Sequence, residues 1–207
     1  MKREEKSALS RQRILDAATE EFSQKGYEGA SLNTVKKKKG ISKGIIYHHF
    51  KDKDELYLFC VEACFSRFTS FLQSTADNLT GTASERLQEY FNARLRFFSD
   101  NPEQLGIFID ASFRSPEKLR PQIAQIRQPF DSLNIAVLTE LLKSEPLRPG
   151  LSVDLVADDF RMYMDYFNLH YKIDSHGTYE QDDILREHEE TCRRQLDILL
   201  YGVLDIR

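Results

Sequence analysis

Ile41-Ser42-Lys43-Gly44-Ile45-Ile46-Tyr47-His48-His49-Phe50-Lys51-Asp52-Lys53-Asp54-Glu55-Leu56 is the stretch from which the fold of this chain can be read. Ser42 carries a short hydroxyl that accepts from the free amides of a first helical turn, so a short helix is expected over 43–49. Asp52 and Glu55 stand three residues apart just ahead of an apolar run, the spacing of a capping box, so a second helix starts sharply there. Leu56, Phe59, Cys60, Ala63 and Cys64 share one face of it, and Val61, Phe65, Phe68 and Leu72 widen the stripe. That helix fades near Asn78–Gly81.

Helical spacing also recurs on both sides of this stretch. Upstream, Ile14, Leu15, Ala18 and Phe22 line one face of a first helix that ends at Gly26, a residue suited to a left-handed cap. A further short helix near 33–39 is set off from 43–49 by Gly40-Ile41-Ser42. Downstream, Thr82-Ala83-Ser84-Glu85 is a second capping-box pattern, opening a helix that turns Leu87, Tyr90, Phe91, Arg94, Leu95 and Phe98 inward. Asn101-Pro102 and Ser115-Pro116 each place proline where a missing amide costs least, opening a helix near 102–113 and another segment from 116. Pro121 and Pro129 are expected to break or kink the helical stretch that runs up to about Lys143, and Pro146, Pro149 and Gly150 mark a loop.

Two last helices are expected at 152–176, stopped by Gly177, and at 181–201. The first has two adjacent stripes, Val156, Phe160, Tyr163, Phe167, His170 and Met162, Tyr166, Leu169, Ile173; the second has Leu185, Cys192, Leu196, Leu199 and Val203. One stripe can face the chain's own core. A second needs another buried surface, which points to a homodimer through these two helices. No alternating strand pattern with hairpin turns interrupts the series, so the chain is all-α, with about nine helices.

Charge separates two regions. Residues 1–53 carry a net +6 and the remainder −10, within an overall −4. A basic head on an acidic body suits a polyanion partner for the head alone, although the same charge also reads as solvated surface. Three cysteines without framework spacing argue against a disulfide scaffold. No apolar run is long enough to span a bilayer, and the charged start Met1-Lys2-Arg3-Glu4-Glu5-Lys6 is no apolar signal segment. A cytoplasmic protein with reduced thiols and no membrane partner is expected.

The string Arg13-Ile14-Leu15-Asp16-Ala17-Ala18 to Phe22, then Gly26-Tyr27, then Ile41 to Leu56 resembles the N-terminal domain of the TetR/AcrR family of transcriptional regulators, over roughly residues 9–60. The resemblance implies a three-helix helix-turn-helix DNA-binding domain at 1–52, with the helix from 53 leading into a larger helical effector-binding and dimerisation domain at 53–207. It implies a ligand-responsive regulator, a repressor released from double-stranded operator DNA by a small-molecule effector. No cofactor and no metal are implied. Matching positions in the family contact phosphates and bases, which carries those roles to Thr34, Ser42, Lys43, Gly44, Ile45, Tyr47, His48, His49 and Lys53; Lys37 and Lys38 join them as charges beside the groove. Gly44 suits close approach to DNA, Ile45 suits thymine methyls, and Ile46 and Phe50 suit the head's own core. His48-His49 does not read as a metal pair, since adjacent helical positions diverge and no nearby ligand completes a site.

One position departs from the family pattern. Where a small residue usually packs at the crossing of the two short helices, this chain has Lys36, followed by Lys37, Lys38 and Lys39. Only Leu32 and Val35 remain as apolar anchors. Lys36 is read as a packing compromise whose stem is buried and whose ammonium snorkels out. In the body, Phe108, Phe113, Arg114, Tyr163, Tyr166, Phe167 and His170 offer the aromatic surface and few polar groups of an effector site, and the same stripes also read as plain core. No catalytic constellation stands out, so an enzyme is not expected. An interaction protein whose head no longer binds DNA is the other alternative, separable by gel shift.

Overall fold

The computed structural model describes residues 3–37, 40–170 and 181–203. Among them are nine α-helices: α1 Arg3–Gly29, α2 Leu32–Lys37, α3 Lys43–His49, α4 Lys53–Ala76, α5 Ala83–Asp100, α6 Pro102–Ile109, α7 Arg120–Lys143, α8 Val153–His170 and α9 Gln181–Val203. A π-helical turn, Asp110–Arg114, continues α6, and a 3-10 turn, Glu117–Leu119, leads into α7. The fold is all-α, as the periodicity implies.

Packing divides the chain into two compact units that do not follow a single cut between residues 52 and 53. One comprises Met1–Ser66 with Asn101–Arg127; the other comprises Arg67–Asp100 with Gln128–Arg207. Helices α4 and α7 each contribute to both.

In the first unit, Ile14, Ala18 and Phe22 of α1 are buried, as are Val35, Ile46, Phe50, Leu56 and Tyr57, and Phe22 meets the Tyr57 ring edge-on at 5.1 Å. Gly26 interrupts α1 with φ 63° and ψ 178°, backbone that only glycine adopts readily. The Asp110 carboxylate lies against that glycine, accepting from the Tyr27 amide at 2.9 Å and from the Tyr57 hydroxyl at 2.6 Å. Burial pushes the Asp110 carboxyl above its ordinary range, against the pull of those two hydrogen bonds. The α1 corner is thus held by a side chain 83 positions further along the chain.

In the second unit, Phe68 is the aromatic hub, with ring centroids 4.9, 4.5 and 5.2 Å from Phe97, Phe98 and Phe130. Arg94 lies among these rings and forms a two-pronged ion pair with Glu189 of α9, at 2.6 and 2.7 Å. Asn134 accepts from both Arg94 and Tyr90, at 3.1 and 2.9 Å. Arg148, in the loop after α7, donates its amide to the Val203 carbonyl at the end of α9.

Several local expectations need correction. Pro129 does not break α7, which runs on to Lys143. An interior proline costs roughly 3 kcal/mol or more; here Phe130, Leu133, Leu138 and Leu141 are buried along the same helix and hold it together. Pro121 falls in the first turn of α7, where its absent amide is not needed, and Pro116 precedes the 3-10 turn instead of opening a helix. The box at Thr82 and Glu85 is reciprocal. At Asp52 only half of it forms: Asp52 accepts from the Glu55 amide, whereas Glu55 reaches past Asp52 to the Lys51 amide. The expected 152–176 helix is described only to His170, and residues 171–180 lie outside the described residues.

Candidate nucleic-acid interface

The first unit presents α3 on a firm footing. Buried Glu21 of α1 pairs with Lys25 at 2.8 Å and accepts from the Ser31 amide at 3.3 Å, while the Ser31 hydroxyl caps α2 through the Asn33 amide. Gly40, with φ 63°, makes the left-handed turn after α2, and the Ile41 amide closes back on the Lys36 carbonyl at 3.2 Å. The Ser42 hydroxyl then caps α3 by accepting from the Ile45 amide at 3.3 Å. Ile41, Ile46 and Phe50 are buried, so α3 is bolted down by one face.

Its other face is open. Ile45 is 41% exposed and Tyr47 49%, large side chains that ordinarily seek burial. Gly44 has nothing within 4 Å of where a Cβ would stand, so its bareness serves no internal packing. His48 is exposed and His49 half-buried, their rings 4.9 Å apart. Burial lowers the His49 pKa, and the neighbouring His48 and Arg11 charges lower it further. Arg11 of α1 lies over the rings of Phe59 and Phe50, at 4.3 and 5.5 Å, tying the C-terminal end of α3 to α4.

Lys53 opens α4 with its ammonium 4.4 Å from the Tyr27 ring centroid, donating to the Glu28 carbonyl at 3.4 Å. Next to it, Asp54 accepts from the Tyr27 hydroxyl and pairs with Lys118 at 2.6 Å. The Lys118 hydrogen bond, then that of Tyr27, holds the Asp54 carboxyl below its ordinary range. Thr34 is half-buried and Lys37 exposed in α2. Lys38, Lys39 and the Lys43 side chain lie outside the described residues. Between α2, α3 and the start of α4 is an open cup of about 350 Å³, lined by Ala30, Ser31, Leu32, Asn33, Lys36, Ile46, Tyr47 and Lys53.

This constellation matches a known domain. Residues 14–59 fit the family described as bacterial regulatory proteins, tetR family. Residues 14–59 are thus a tetR-family regulatory domain. The chain is 29% identical over 132 residues to the biofilm operon icaADBC HTH-type negative transcriptional regulator IcaR of Staphylococcus epidermidis, a stretch covering 63% of this chain and 66% of that one. A solved TetR-family regulator from Mesorhizobium loti has the same fold, with a TM-score of 0.63 at 19% identity over 99% of this chain and 100% of that one. So does the transcriptional regulator FadR of Bacillus subtilis, solved with stearoyl-CoA: TM-score 0.60, 19% identity, 87% of this chain and 96% of that one.

The residues singled out for an effector do not fall in one unit. Phe108, Phe113 and Arg114 belong to the first; Tyr163, Tyr166, Phe167 and His170 belong to the second. Phe108 is buried against Phe65, with centroids 5.6 Å apart, and Phe113 meets it edge-on at 6.4 Å, while Arg114 is exposed. Tyr163 is half-buried and Tyr166 64% exposed; the Phe167 and His170 side chains lie outside the described residues. Among the described residues no group of His, Cys, Asp and Glu has the arrangement of a metal site. Cys60, Cys64 and Cys192 are all buried, and burial pushes the Cys60 thiol up to about 12. Among the described residues no helix is long and apolar enough to cross a membrane.

Sequence reasoning missed the Asp110 anchor, the Tyr27–Asp54–Lys118 chain and the partner of Arg94. Only the last left a signal: Glu189 lies on the same helical stripe as Leu185, Cys192 and Leu196.

Proposed function

We propose that this protein is a repressor that grips double-stranded operator DNA through a helix-turn-helix at 1–52 and is released by a small effector bound in a body at 53–207. The observation that carries the reading is α3: inner face locked by Ile46 and Phe50, outer face presenting Ile45, Tyr47 and a bare Gly44. A helix read by the major groove needs that division. Ile45 reads thymine methyls; Tyr47, His48, His49 and Lys53 take phosphates, joined by Thr34, Lys37, Lys38, Ser42 and Lys43. FadR, solved with stearoyl-CoA, supports an effector-responsive body on this fold. Phe108, Phe113, Arg114, Tyr163, Tyr166, Phe167 and His170 are the residues proposed for it.

The test is selection of a duplex from a random pool, followed by affinity measurements on variants. Tyr47→Ala weakens binding almost uniformly across sequences, as a phosphate contact should, whereas Ile45→Ala relaxes preference at one base-pair step by about 1–3 kcal/mol. Normal binding by Tyr47→Ala at unchanged thermal stability removes that residue from the interface.

The acting species is a homodimer through α8 and α9. Met162 and Tyr166 on α8 are 63% and 64% exposed, and Ile198 and Tyr201 on α9 are 59% and 68% exposed, more apolar surface than one chain covers. Light scattering at micromolar concentration should give twice the chain mass, and Met162→Glu with Ile198→Glu should halve it. A wild-type monomer contradicts the dimer.

A further inference from the structure

The cup beside α3 gives Lys36 a place that its sequence position does not suggest. Lys36 is half-exposed and lines the cup with Tyr47 and Lys53. The lining contains two lysines, a phenol, a serine and an asparagine, and no carboxylate. The Lys36 ammonium makes no hydrogen bond or ion pair among the described residues, its backbone carbonyl alone accepting from Ile41. Lys53 is steered by the Tyr27 ring and the Glu28 carbonyl, neither of which neutralises its charge. The Ala30 and Ile46 parts of the lining are apolar and buried, and the nearest buried carboxylate, Glu21, is engaged by Lys25 and the Ser31 amide.

Two cations border this solvent-open depression, Lys53 sharing its charge with the Asp54 carboxylate outside the lining and Lys36 facing no carboxylate within it, and together they attract an oxyanion. The cup has no aromatic slot for a base and no deep enclosure for a free nucleotide. Its exposed rim is Tyr47, on the outward face of the helix proposed to enter the groove. We infer that Lys36 is a DNA-contacting residue, whose ammonium joins Tyr47 and Lys53 in seating one backbone phosphate. Lys36 is then no packing compromise: it is a phosphate ligand at a helix crossing where the family resemblance implies a small residue. The inference rests on the DNA-binding reading above.

The experiment uses the full chain and a duplex enriched from a random pool, with affinity followed from 50 to 200 mM salt. Lys36→Ala should lower the slope of log affinity against log salt by roughly 0.9. Wild type therefore loses about 3.5-fold more affinity than the variant across that fourfold range. Lys36→Arg should keep the wild-type slope, and melting temperatures should stay alike. A Lys36→Ala slope equal to wild type, with Lys53→Ala still lowering it, overturns the inference and leaves the DNA reading intact. Failure of any duplex to enrich overturns both. Melting in inorganic phosphate and in chloride at equal ionic strength separates the anion's source. If phosphate stabilises wild type but not Lys36→Ala while the DNA slopes agree, the cup is a free-anion site and the inference falls.

Discussion

Arg94→Ala is expected to destabilise the fold by about 3–5 kcal/mol, the usual cost of leaving one member of a buried ion pair without its partner. Both side chains are almost wholly buried, 7% and 2% exposed, so solvent screening does not soften the loss. The guanidinium also fills space, lying 5.2 Å from the Phe130 centroid and 5.8 Å from that of Phe68, and its removal leaves a void among the rings. Glu189→Ala should cost as much for the converse reason. Replacing the pair by Arg94→Met with Glu189→Leu should restore most of the loss, because an apolar pair needs no desolvation. Burial alone would raise the Glu189 carboxyl; the Arg94 charge and the hydrogen bonds of His188 and Arg94 outweigh it and bring it to about 2. A depressed carboxylate contributes stability that is present above its unfolded value, near pH 4.5, and is lost as the pH falls towards 2. Wild type should therefore lose stability in that window, and the Met/Leu protein should lose less. Urea unfolding at pH 7 and pH 3 checks both statements. A single-alanine protein within 1 kcal/mol of wild type would mean that water reaches the pair.

Local chemistry is legible where the deciding partners lie within one helical turn. Ser42 caps α3 because hydroxyl and amide are three positions apart, and Gly26 and Gly40 fall where a positive φ is required. The outward and inward division of α3 emerges from Ile45, Ile46, Tyr47 and Phe50 in the same way. What escapes depends on distant partners. Asp110 meets Tyr27 and Tyr57 across 83 and 53 positions, and no periodicity marks such a contact. Periodicity turns Arg94 inward and puts Glu189 on the inner stripe of α9, but neither helix's own pattern says that the two stripes meet across 95 positions. Lys36 looks misplaced at a crossing that needs a small residue, whereas its side chain lines an open cup. Pro129 reads as a breaker because its local cost is visible in the sequence and the burial that offsets it is not.

Gly106→Ala should destabilise the protein by about 1–3 kcal/mol, against the gain of roughly 1 kcal/mol that alanine brings to an ordinary exposed helix position. The sign depends on what a Cβ would meet. At Gly106 it would stand 2.7 Å from the Ser23 Cα and closer still to the Ser23 carbonyl and hydroxyl oxygens, so α6 touches the backbone of α1. One turn along, the contact is reversed: Gly26 gives way to Asp110, whose Oδ1 is 2.5 Å from where a Cβ would be. Glycine on each helix thus admits a neighbour from the other. A methyl at 106 must push the helices apart, which strains the Asp110 hydrogen bonds to Tyr27 and Tyr57. Because α1 also holds Ser31 through Glu21, the shift is passed to α2 and on to α3, and affinity for the selected duplex should fall along with the melting temperature. Ser23→Gly in the same chain removes the whole Ser23 side chain but leaves its backbone in place, and should not rescue the variant. Full rescue by Ser23→Gly would show that the obstacle is a side chain able to move, and the two backbones would then not be in the close contact that the loss of stability requires.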